Sequence, residues 1–216
     1  GNGGKIVDYV FKYITVDNDT KPPIIEADTL AFTSEDGASI RFSAEENFIN
    51  RKTKSSVNEV NTPIHSLTVE VRDEPPSSGI NFRPEDTTIQ LHDASGEEIK
   101  GFTSYENQSV TQYGTFSATI RLTLENPLSI DGSDDGDYTV TVKISDNSEN
   151  STKPISITFK YDTIAPSVSA ISLSPHKSIL NVLPEISVVL GDNGSGINQA
   201  TSVIYLLSPD GNRIPA

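Results

Sequence analysis

The chain has 216 residues, enough for one full β-sandwich of about 100–140 residues plus parts of others, and too few for three, since domains typically run ~50–200 residues. Sixteen basic against 30 acidic residues give a formal charge of −14, which argues against a nucleic-acid surface, because phosphate binding is driven by Lys and Arg, and favours a cation as partner. With no Cys, Met or Trp, a disulfide scaffold, a thiolate metal site and a thiol nucleophile are excluded, so metal chemistry would use oxygen or one of three scattered histidines.

From the N-terminus, Gly1-Asn2-Gly3-Gly4-Lys5 lacks the apolar core of a signal peptide, and no later apolar run approaches the ~20 residues that span a bilayer. Residues 1–20 read as the C-terminal tail of one unit, ending in the linker Asp19-Thr20-Lys21-Pro22-Pro23. A complete unit is expected over 21–163, with strands near Thr29–Phe32, Ser39–Ser43, Ile64–Arg72, Thr87–His92, Glu98–Phe102, Thr115–Leu124, Tyr138–Ile144 and Ile155–Tyr161. Several of these alternate polar and apolar residues with period 2, and nothing keeps a 3.6-residue spacing over a useful length. A second linker, Asp162-Thr163-Ile164-Ala165-Pro166, follows 143 residues after the first, and the front of a third unit is expected over 164–216.

Two further anchors support the repeat: Ser78-Gly79-Ile80-Asn81 returns unchanged 117 residues later as Ser195-Gly196-Ile197-Asn198, and Gly96 with Ile99 aligns with Gly211 and Ile214. The difference between the offsets places a surplus of 26 residues in the first copy, mostly within 34–61, where Arg51-Lys52-Thr53-Lys54 forms the basic cluster of an acidic chain. That segment reads either as a partner-contacting loop or extra hairpin, or as a tolerated surface insertion with a solvated tip.

Asp134-Asp135-Gly136-Asp137-Tyr138 carries the Asp-x-Gly-x-Tyr pattern of a tyrosine corner, with Val140 where antibody domains place a cysteine. Together with Ser145-Asp146-Asn147-Ser148-Glu149-Asn150, Tyr161-Asp162-Thr163-Ile164-Ala165-Pro166 and Asp192-Asn193-Gly194-Ser195-Gly196-Ile197, it resembles the tandem bacterial immunoglobulin-like repeats of large cell-surface and adhesin-type proteins. The likeness covers nearly the whole chain outside 34–61. It departs at the turn after Ile144, where family members often have Gly four residues into the turn and this chain has Glu149.

The resemblance implies an all-β, Ig-like antiparallel sandwich in tandem, extracellular or on the cell surface. Its function would be non-enzymatic: a structural and adhesive stalk or filament spacer whose partners are neighbouring units of the same chain and a host or surface protein or glycan. Ig-like topology would also gather acidic loops at the two poles of the complete unit. One pole would bring together Asp17, Asp19, Asp73, Glu74 and Asp146; the other, Asp134, Asp162 and Asp192. Ca²⁺ takes six to eight oxygens at ~2.3–2.6 Å, which such clusters can supply, so calcium stiffening of the junctions is one reading and ordinary turn chemistry of Asp and Asn is the other.

An enzyme is not expected: there is no Gly-x-Ser-x-Gly elbow near His92, no phosphate-binding Gly-rich motif, and nothing pairs two carboxylates as acid and base. The alternative function is a carbohydrate-binding accessory module of a secreted enzyme, with Tyr105 and Tyr113 on an exposed aromatic platform. Self-association through unpaired strand edges is a third reading.

Overall fold

The computed structural model describes residues 19–42, 48–51, 59–60, 62–111, 114–174, 185–200 and 202–214. Among them there is no helix, and so none long and apolar enough to cross a membrane. The first strands are β1 (Ile24–Ser34), β2 (Ser39–Arg41), β3 (Phe48–Arg51), β4 (Glu59–Val60), β5 (Ile64–Arg72), β6 (Ile80–Asn81), β7 (Thr88–His92) and β8 (Glu98–Ile99). They are followed by β9 (Gly101–Thr111), β10 (Gly114–Leu128), β11 (Gly136–Lys143), β12 (Ser145–Asp146), β13 (Ile155–Asp162), β14 (Ser167–Ser174), β15 (Glu185–Gly191), β16 (Leu206–Leu207) and β17 (Arg213–Ile214).

Two sheets share one core. The five-stranded sheet runs β2-β1-β5-β10-β9 and the six-stranded sheet β4-β3-β13-β11-β7-β8. All pairings are antiparallel except those of β3 with β13 and with β4. Period 2 explains the layers: Leu67, Val69 and Val71 of β5 and Ile120, Leu122 and Leu124 of β10 turn inward, opposite Val140 and Val142 of β11. Phe159 closes the core, with its ring centroid 4.9 Å from Phe32 across the sheets and 5.6 Å from Tyr138 beside it. The architecture is thus all-β and sandwich-like.

Two sequence expectations change. The described part of the segment 34–61 is not a surface decoration: Ile40, Phe42 and Ile49 are core residues, and β3 docks parallel to β13 in the register Tyr161↔Ile49. Of its basic cluster, Lys52, Thr53 and Lys54 lie outside the described residues. Second, Tyr105 is not on an exposed platform. It lies in β9, packs against Phe82 with the rings tilted by 30° and their centroids 4.4 Å apart, and donates its hydroxyl to Thr87 O at 3.2 Å, while Tyr113 lies outside the described residues. Within 164–214 the described residues form the two-stranded sheets β14-β15 and β16-β17, with Val168, Ile171, Val189, Ile204 and Leu207 exposed.

Candidate metal centre

Three aspartates from distant parts of the chain meet at one end of the sandwich. Asp19 precedes β1, Asp73 follows β5 directly, and Asp146 ends β12, whose pairing with β6 sets Asp146 opposite Ile80. One carboxylate oxygen from each lies within 4.8 Å of the others. Their relative exposures are 6%, 1% and 0%, so water contributes little screening to three acids of like charge.

The loop Ser77–Gly79 is the cradle that brings them together. Asp73 Oδ2 accepts hydrogen bonds from Ser77 Oγ at 2.7 Å and Gly79 N at 2.9 Å, folding the loop back on the end of β5. Gly79 has φ of +84°, and a Cβ there would come within 3.0 Å of the Gly114 and Thr115 backbone, so this position requires glycine. The folded loop presents Ser78 to the linker: its N–H and its hydroxyl both donate to Asp19 Oδ2 at 2.9 Å. Asn147 then seals the loop from the other side, its N–H donating to Gly79 O at 2.8 Å and its Nδ2 to Ser78 O at 2.9 Å.

Asp146 is held by its own turn. Its Oδ1 accepts from Ser148 N and Asn150 N, both at 2.8 Å, and its Oδ2 from Asn150 Nδ2 at 2.7 Å. The same Asn150 amide donates to Asp19 O at 3.2 Å, so one side chain ties linker and turn. Glu149 adopts φ of +67°, the left-handed conformation for which a glycine would be the easier residue.

The three environments differ. Burial pushes the Asp19 carboxyl up, but donors from Ser78 and Lys21 outweigh it and hold the group below its ordinary value. Burial pushes Asp73 up as well. There the bonds from Ser77 and Gly79 do not compensate, and the charges of Asp19 and Asp146 add to the rise. Asp73 Oδ1 is buried without a hydrogen-bond partner, and none of the ion pairs among the described residues involves any of the three.

Of the other residues named from sequence, Asp17 lies outside the described residues, and Glu74 turns outward to pair with Arg72. At the far pole Asp134 is engaged locally: its Oδ2 accepts from Ser129 N at 2.7 Å, and its carbonyl accepts the Tyr138 hydroxyl at 2.7 Å, the hydrogen bond of a tyrosine corner. Asp162, 5% exposed, accepts from Ser195 N, and Asp192 Oδ1 accepts from Gly194 N and Gly196 N at 2.8 and 2.9 Å. Gly194 has no room for a side chain, because a Cβ would run into the Asp162 carboxyl. These contacts duplicate those upstream, Asp162 with Ser195 repeating Asp19 with Ser78, and Asp192 with Gly196 repeating Asp73 with Gly79. No third carboxylate joins Asp162 and Asp192 among the described residues.

Sequence reasoning missed Ser78 and Asn150; at the far pole Asp135 Oδ1 accepts from both N and Oγ1 of Thr163 at 2.9 and 2.7 Å. The signal for Ser78 was present, since Ser-Gly-Ile-Asn occurs twice, but it read as an anchor of the repeat rather than as a contact. Comparison with family models, curated proteins and solved structures gives no match.

Proposed function

We propose that the chain is a non-enzymatic structural segment, built of Ig-like units in tandem, whose task is to hold successive units at a fixed spacing, as a stalk or filament on a cell surface requires. The observation that carries this reading is the duplicated latch: a linker aspartate accepts the N–H of the Ser in a Ser-Gly-Ile-Asn loop at both ends of the complete unit, Asp19 with Ser78 and Asp162 with Ser195. A linker bonded through a buried carboxylate to the unit it enters cannot swivel freely, and the prolines beside it, Pro22, Pro23 and Pro166, restrict the backbone further.

The strand order supports the Ig-like identity. β1-β5-β10-β9 follows the A-B-E-D sheet, and β13-β11-β7 the G-F-C sheet, with β3 in the place of a strand that crosses over to pair in parallel with G. The adhesive role and the surface location rest on the resemblance in sequence. Of the two residues named for the sugar-binding alternative, Tyr105 packs against Phe82 and Tyr113 lies outside the described residues.

The test is ¹⁵N relaxation of the whole chain. Strands β14 and β15 are expected to tumble with the rotational correlation time of the core strands, and Asp162→Ala to release them into faster, independent motion. Independent tumbling in the wild-type chain would overturn the spacer reading.

A further inference from the structure

We propose that Asp19, Asp73 and Asp146 form a Ca²⁺ site that clamps the upstream linker to the unit it enters. A set of acidic side chains is common on protein surfaces, but this one is buried and built. Seven donors fix the orientation of the three carboxylates: Lys21 N, Ser78 N, Ser78 Oγ, Ser77 Oγ, Gly79 N, Ser148 N and Asn150 N, with the Asn150 amide as an eighth. Hydrogen bonds that accept only on oxygen stabilise the charged form of an acid, so the loops favour ionised carboxylates at a place where three of them repel.

The second observation is Asp73 Oδ1. A buried carboxylate oxygen without a donor costs the full desolvation of that atom, and native proteins keep such atoms where an ion or water completes them. Asp73 has committed Oδ2 to Ser77 and Gly79, which leaves Oδ1 without a donor in a carboxylate that belongs to the triad. No lysine or arginine ion pair answers these acids among the described residues, and a bound cation would supply the positive charge they lack.

Size and donor type select the ion. Oxygens that surround one Ca²⁺ at ~2.3–2.6 Å lie at most about 5 Å apart, which matches a triad within 4.8 Å of one another. Mg²⁺ demands an octahedron at ~2.0–2.1 Å and sheds its water reluctantly, and softer metals prefer the sulfur or imidazole absent here. Each ligand arrives from a different segment: the linker, the end of β5 and the turn after β11. The ion therefore joins parts of the chain that also meet through Ser78, Asn147, Asn150 and the pairing of β12 with β6.

The experiment is calorimetric titration of the EDTA-stripped whole chain with CaCl₂, paired with melting in EDTA and in 10 mM calcium. Wild type is expected to bind one Ca²⁺ at this site with a dissociation constant near 0.1 mM, to gain about 5–10 °C in melting temperature, and to bind Mg²⁺ far more weakly. Asp73→Asn is expected to weaken binding roughly 100-fold while melting in EDTA at or above the wild-type temperature, because the repulsion is relieved. The two proteins then exchange rank when calcium is added, a crossing that a purely structural aspartate would not produce. Asp19→Asn serves as a second ligand variant and Glu74→Gln as a control that keeps wild-type binding. Absence of saturable binding, equal affinity for Mg²⁺, or unchanged affinity in both ligand variants would overturn the site. If calcium has no effect while the units still tumble together, the clamp fails and the spacer reading stands.

Discussion

Removing one oxygen from the tyrosine corner should produce a stability loss that disappears at high pH. Tyr138 is 6% exposed, and its hydroxyl donates to Asp134 O at 2.7 Å. Tyr138→Phe keeps the ring against Phe159 and deletes that bond, so at pH 8 it should cost about 1–2 kcal/mol, the bond plus the orphaned carbonyl. Burial, then the negative charges of Asp134, Asp93 and Asp135, push the Tyr138 hydroxyl up to about 12. A group whose folded pKa is raised gives its full stabilisation below the unfolded value, near 10, and loses it as pH climbs toward 12. At pH 11 wild type should therefore have lost about 1.4 kcal/mol through this residue, while the Phe variant has no proton to lose. Tyr161, raised likewise by burial, is present in both proteins and cancels in the comparison. Urea unfolding at pH 8 and pH 11 should show a gap of about 1.5 kcal/mol that closes to within a few tenths. A gap unchanged between the two pH values would refute the buried, neutral corner.

Two further substitutions probe the turn and the 34–61 segment. Glu149→Gly relieves a left-handed backbone at φ +67° and should raise stability by about 0.5–1 kcal/mol in urea unfolding; a loss would mean that the turn is held by something other than its backbone. Ile49→Ala should cost about 2–5 kcal/mol, because Ile49 is fully buried beside Tyr161; a cost below ~0.5 kcal/mol would return β3 to the surface.

The parts of the fold legible in the sequence are those with local causes. Tyr138 to Tyr161 could be read because Val140, Val142 and Phe159 alternate with threonines and lysines, and burial follows the same alternation in the structure. The departure at Glu149 was also legible, and the structure gives its physical form: a side chain carried in a conformation suited to glycine. What failed was non-local. β3 is four residues long, too short for any period, and its place is set by pairing with β13, more than 100 residues on. The strand β9 was cut short at Phe102 because Glu106, Asn107, Gln108 and Ser109 are polar; they sit on an edge, where Asn107 at φ +49° marks a bulge and one-sided burial removes the alternation.

The acidic site falls between these cases. Its members were visible as loop aspartates, yet so were Glu74, Asp134, Asp162 and Asp192, and composition ranks none above another. What separates them is what each carboxylate already holds. Glu74 has Arg72, and Asp134 has Ser129. Asp162 and Asp192 hold backbone N–H groups of a loop that closes on itself. Among the described residues, Asp73 alone of the named acids keeps a buried oxygen with no donor. The repeated Ser-Gly-Ile-Asn motif gains its reason in the same way: Ser supplies an N–H to the linker aspartate, and Gly supplies the positive φ that aims it. On the proposed reading, four residues that return unchanged while the strands around them differ mark a docking point for a linker, and a third aspartate at such a point is what would turn a latch into a site for a cation.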